Sequence, residues 1–167
     1  YFPKGFIWDV SGSGVFATKN TLLSLLGLIN SKVGNDILSD INPTLNCQVE
    51  NVLLLPVFEK IYQSFIQNKI EKCISISKQD WDAHETSWDF EENELIALQK
   101  AGLGTITAGF GETTVMKYSD LELLYMEYEA KWREKFNQLH ANEEELNRIF
   151  IEIYRLQDEL SPEVEDK

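Results

Sequence analysis

Hydrophobic positions in this chain change period several times, and each change predicts a different element. Gly5-Phe6-Ile7-Trp8-Asp9-Val10 reads as a short buried strand turning at Ser11-Gly12-Ser13-Gly14, with Val15 and Phe16 resuming an extended run. Leu22, Leu25, Leu26, Ile29 and Val33 then recur at three and four, which predicts one helix, capped by Asn20 or Thr18 and fraying or kinking near Gly34. Ile41-Asn42-Pro43-Thr44 is a turn signal, and residues 46–52 alternate polar and apolar as a half-buried strand does. Helical spacing returns over 57–72 through Phe58, Ile61, Tyr62, Phe65, Ile66 and Ile70, with Pro56 placed where a helix start tolerates it.

Residues 77–93 set Trp81, Trp88 and Phe90 among acidic and small residues without a clear period, and read as an extended connector. A short helix is expected over 94–100, and glycines 102, 104, 109 and 111 mark a loop or weak hairpin. Ser119 with Glu122, and Asn142 with Glu145, have the spacing of capping boxes, and each opens a helix-period run. The first run uses Leu121, Leu124, Tyr128, Trp132, Phe136 and Leu139; the second uses Leu146, Ile149, Phe150, Ile153 and Leu160. Together they predict an antiparallel helical hairpin turning at His140-Ala141. The expected fold class is α+β, a small strand-containing lobe followed by a mostly helical region. Its divisions fall at 1–57, the lobe, at 58–118, a helix and extended connector, and at 119–167, the hairpin.

At 167 residues the chain has room for one domain of ordinary size, and its 43% hydrophobic and 26% charged content is that of a soluble globular protein. Its longest apolar runs, such as Leu53-Leu54-Leu55, are too short to span a bilayer, so no membrane partner is expected. Tyr1 opens the chain with neither Met nor a signal-peptide pattern, which reads as the interior of something larger. Cys47 and Cys73 make neither a disulfide framework nor a four-ligand zinc site, in keeping with a reducing cytoplasm.

A net charge of −13 argues against nucleic-acid binding, but the charge is uneven. Residues 1–79 hold seven lysines and six acids, whereas 80–167 hold eight basic and twenty-two acidic residues. Any DNA-facing surface therefore belongs to the first part, where Lys4, Lys19 and Lys32 are suited to phosphates and Asn46 and Gln48 to adenine edges. The plain alternative is solvated lysines and amides that satisfy the backbone.

Other motifs fail on inspection. Residues 6–16 look like a strand and glycine loop for S-adenosylmethionine, and Asn42-Pro43-Thr44-Leu45 echoes the Asn-Pro-Pro-aromatic motif of adenine modification. Yet Leu45 has no ring to stack a flipped base, and the single predicted helix between Gly14 and Asn42 leaves no second strand for the ribose. Asp80 to Glu91 spans a calcium loop's length but has Glu85 where the sharp turn needs Gly, and Trp88 stands where a zinc-protease motif needs its second His. With only His84 and His140, no nucleophilic constellation can be assembled. The chain itself is expected to hold no catalytic residue, cofactor or metal.

Several segments in order carry a resemblance: Pro3-Lys4-Gly5-Phe6-Ile7-Trp8-Asp9-Val10, Leu28-Ile29-Asn30-Ser31-Lys32-Val33, Asn42 through Val49, Asp80 through Phe90 with its Ser-Trp-Asp-Phe, and 143–160 with its Leu-Gln-Asp-Glu-Leu. The chain resembles the large adenine-specific DNA methyltransferases of phage-exclusion (BREX-type) systems, related to type IIG restriction-modification enzymes. It departs from them in having Cys47 for Phe, Glu50-Asn51 for Gly-Asp and Arg155 for Gly. The resemblance implies a fragment downstream of the catalytic core, where a target-recognition domain passes into a helical spacer. It implies a parent that moves a methyl group from S-adenosylmethionine to N6 of adenine, with double-stranded DNA, its own other domains and defence-system proteins as partners. A competing reading is an acidic module that docks on a basic partner of the defence complex. A third, an acidic mimic of DNA, conflicts with the near-neutral first part.

Overall fold

A computed structural model describes residues 14–44, 48–101 and 118–165. Among them there is no strand, so the expected α+β class is corrected to an all-helical one. The run expected as a strand at 5–10 lies outside the described residues, and Val15 and Phe16 are irregular and exposed. Residues 48–52, the described part of the second expected strand, form instead the start of a short helix, α3 (Val49–Leu53). Asn51 Oδ1 accepts the Gln48 amide at 2.9 Å and caps the turn locally, while Val49 stays 52% exposed. Alternation over so few residues is met equally by one exposed helical turn, and the side-chain cap decides between them.

The helix expected from 20 to 33 is two helices, α1 (Lys19–Asn30) and α2 (Lys32–Ile41). Thr18 caps α1 by accepting the Thr21 amide. Ser31 takes extended backbone between them, and its hydroxyl donates to the Leu28 carbonyl at 2.7 Å while accepting the Gly34 amide at 3.2 Å. The break thus satisfies the end of one helix and the start of the next with one side chain. Gly34 is required there because a Cβ would run into the Leu28 carbonyl oxygen.

After a 3-10 turn at Glu59–Tyr62, which seats Ile61 fully buried, Gln63 is again extended and α4 runs over Ser64–Asp82. It starts later than the periodicity predicts and takes in the first residues of the expected connector. The short helix predicted at 94–100 is present as α5 (Glu94–Lys100), with the Asn93 side chain accepting the Leu95 amide. The expected hairpin is replaced by one 37-residue helix, α6 (Tyr118–Tyr154). His140-Ala141-Asn142 contains neither Gly nor Pro, so nothing in its backbone forces a stop. Asn142, which signals a cap in sequence, lies inside the helix with its Nδ2 buried and unpartnered.

The described residues fall into two compact units. One comprises those up to Cys73 together with those from His140 onward, the other Ile74–Leu139. The first has a core of Leu28, Val33, Ile61, Ile66 and Phe150, all fully buried, and Gly27 lets α1 approach the Ile70 side chain closely. Its last segment folds back along α6: the Asn147 amide donates to the Pro162 carbonyl, Val164 donates to Glu144 Oε1 at 3.2 Å, and His140 Nε2 lies 3.0 Å from the Val164 carbonyl. In the second unit Ile76, Leu98 and Leu124 are buried, and Glu94 at the start of α5 receives hydrogen bonds from Lys131 and from Trp132 Nε1. No helix among the described residues is long and apolar enough to cross a membrane.

Candidate nucleic-acid interface

Lys19 and Lys32 are the first residues of α1 and α2, and neither helix has an acid in its first turn to offset the partial positive charge of its N-terminus. That places two lysines at ends already favourable to anions. Lys19 Nζ is 2.5 Å from Glu71 Oε1 with its side chain 77% exposed, an ion pair that a phosphate would compete with at small cost. Lys32 is half-buried, and its backbone amide is committed to Asn147 Oδ1 at 3.0 Å, which leaves the ammonium as its group for an anion. Gln48 immediately precedes α3 and is exposed. Lys4 and Asn46 lie outside the described residues.

The motif that echoes adenine modification is occupied by its own turn. Asn42 Oδ1 accepts both the Thr44 amide, at 3.2 Å, and the Thr44 hydroxyl, at 2.6 Å, at the end of α2. An Asn that must hold an exocyclic amine cannot spend its oxygen this way, so Asn42 does not fit that role, while residues 6–13 of the glycine loop lie outside the described residues.

The Asp80 to Glu91 stretch is likewise self-satisfied. Lys78 reaches Asp82 at 2.6 Å and Asp89 at 2.8 Å, and Ser87 Oγ donates to Asp82 at 2.8 Å. The hydrogen bonds from Lys78 first and then Ser87 hold the Asp82 carboxyl below its ordinary value, and those to Asp82 and then Asp89 push the Lys78 ammonium up. His84 Nδ1 lies 2.7 Å from the Asp80 carbonyl. No three His, Cys, Asp or Glu side chains among the described residues are grouped to hold a metal ion. Cys73 is partly buried, and desolvation, with Glu143 nearby, pushes its thiol up to about 11, far from a reactive thiolate.

Two features escape a sequence reading. In the first unit, Val49, Leu53, Leu54, Phe58 and Phe65 are exposed apolar side chains. In the second, aromatic side chains form a ladder on α6, Tyr125 to Tyr128 at 6.2 Å and Tyr128 to Trp132 at 6.4 Å between ring centroids. The helical spacing of Tyr128, Trp132 and Phe136 is visible in sequence, but it reads there as core.

The curated proteins to which this chain is similar are adenine-specific methyltransferases. Methyltransferase PglX of Lacticaseibacillus casei (strain Zhang) is 39% identical over 168 residues, covering 100% of this chain and 13% of the relative. Methyltransferase BrxX of Escherichia coli O9:H4 (strain HS) is 43% identical over 99 residues, covering 58% of the chain and 8% of the relative. The resemblance read from the residues therefore holds along the whole chain, which corresponds to a small part of each relative. No family model matches the chain, and no solved structure matches it.

Proposed function

We propose that this chain is a non-catalytic DNA-recognition and spacer segment of an adenine-specific (N6) DNA methyltransferase of a restriction-modification or phage-defence system. The observation that carries the reading is the 39% identity, along the whole chain, with a piece of PglX that is 13% of that protein. The occupied Asn42 turn supports leaving methyl transfer to residues outside the chain, and in this reading the S-adenosylmethionine of the parent is held there too. In this reading residues 1–57 complete a recognition lobe, 58–118 connect it onward, and 119–167 supply the spacer through α6 and its returning tail. Lys19 and Lys32 touch phosphates, while Gln48, with Lys4 and Asn46, completes the DNA-facing surface.

Fluorescence anisotropy with a labelled 30-base-pair duplex tests this. Binding should be weak and fall steeply between 50 and 200 mM salt, and Lys19→Ala with Lys32→Ala should reduce the slope of log affinity against log salt by about 2, near 0.9 for each phosphate that is no longer neutralised. An unchanged slope in that double variant would remove the DNA from this face.

A further inference from the structure

We infer that the aromatic seam of α6 is a docking face for a basic amphipathic helix supplied from outside these 167 residues. Leu121, Tyr125, Tyr128, Trp132 and Phe136 recur at four, three, four and four, the spacing with which one helix meets another. A helix normally buries such a stripe, yet here Leu121, Tyr125 and Phe136 are 52%, 56% and 46% exposed. The stripe covers about 22 Å of helix at 1.5 Å per residue, room for about four turns of a partner. An apolar helical stripe of this kind is the anchor set of helix-in-groove recognition.

Charge selects the occupant. The cations among the described residues of this unit are engaged within it: Lys78 with Asp82 and Asp89, Lys100 with Glu92, Lys131 with Glu94, Arg133 with Glu129, and Lys135 lying 4.3 Å over the Trp132 ring. Glu122 on α6, by contrast, is exposed and makes no ion pair with a described residue, and the pair of Glu129 with Arg133 is exposed on both sides, 50% and 68%, so an incoming cation competes with it at small cost. By helical geometry Glu122 and Glu129 lie beside the seam on its solvent side, the place from which flanking charges choose a partner helix. A nucleic acid and an anionic membrane are both repelled by such an edge, and a second copy would set glutamate against glutamate. A helix with leucine-like anchors and lysines or arginines at its flanks satisfies the apolar stripe and the acidic edge together. This inference concerns Ile74–Leu139 and does not depend on the DNA contacts proposed for the other unit.

The test is titration calorimetry of the full 167-residue chain with three synthetic 21-residue peptides. One has leucines at its a and d positions and lysines at e and g, one has glutamates in place of the lysines, and one is a scramble of the lysine peptide. The lysine peptide should bind, the other two at least tenfold more weakly. Tyr125→Ser with Leu121→Ser should weaken its binding at least tenfold, and Glu122→Lys with Glu129→Lys should shift preference to the glutamate peptide. Equal binding of the lysine peptide and its scramble, or affinity unmoved in both double variants, would reduce the effect to attraction by net charge and overturn the inference. So would self-association in sedimentation that the Tyr125→Ser and Leu121→Ser changes abolish, because the seam would then be covered by a second copy. Should the serine variant fail to fold by circular dichroism, the charge-reversal pair still decides, since it alters only exposed side chains.

Discussion

Asn147 Oδ1 accepts the backbone amide of Lys32 at 3.0 Å across 115 residues of sequence, while its own amide donates to the Pro162 carbonyl. One side chain, 6% exposed, thus ties the start of α2 and the returning tail to α6. Asn147→Ala would strand the Lys32 amide and the Pro162 carbonyl in a partly buried setting. It should cost about 1 to 3 kcal/mol, measured as a fall in urea midpoint at unchanged m-value.

Continuity of α6 has its own check. Ala141 is exposed in mid-helix, so Ala141→Pro changes no packing but removes an intrahelical hydrogen bond and crowds the preceding turn. A loss of about 3 kcal/mol or more is expected in a denaturant series, with Ala141→Ser as the mild control. A proline tolerated at no cost would restore the hairpin turn at His140-Ala141.

Arg155, at φ 60°, is a non-glycine residue in the left-handed region, directly after α6. The Leu156 amide reaches back to the Ile151 carbonyl at 3.0 Å and the Arg155 amide to that of Glu152 at 3.2 Å, a closure that favours glycine at position 155. Arg155→Gly should therefore stabilise the chain by about 1 kcal/mol, read as a higher melting temperature. Arg155→Ala, which keeps the Cβ, should not reproduce the gain.

Tyr154 donates its hydroxyl to the Pro56 carbonyl and packs edge-on against Phe58 with ring centroids 4.9 Å apart. Burial, and Tyr62 beside it, push its phenol up to about 12 from an ordinary 10.0. Because the folded value is raised, the contribution is complete below pH 10 and is lost as pH climbs through 12. Wild-type stability should fall across that window, and Tyr154→Phe should start about 1 kcal/mol lower at pH 8 and fall less steeply. Parallel urea titrations at pH 8, 10 and 11.5 compare the slopes, and identical slopes would mean that this phenol does not carry the alkaline loss.

Local signals alone determined several elements of this protein. Thr18 capping α1, Asn93 capping α5 and the helical period through Ile66 and Ile70 each rest on neighbours within a turn or two, so residue order contains them. The resemblance to adenine-specific methyltransferases is likewise written in residue order, in segments such as Ser87-Trp88-Asp89-Phe90. Tertiary structure decided the rest. Whether 48–52 pairs as a strand depends on a neighbouring strand that no residue in that run can specify, and its own cap made it a helix. Asn142 has the same spacing to Glu145 whether it opens a helix or lies within one. The tail hydrogen-bonded to His140, Glu144 and Asn147 gives the continuous helix contacts made along its length rather than at a break. Lys19 and Lys32 could be named as cations from sequence. That one faces Glu71 and the other gives its amide to Asn147 follows from contacts between distant parts of the chain, whose energies exist only once both partners are brought together.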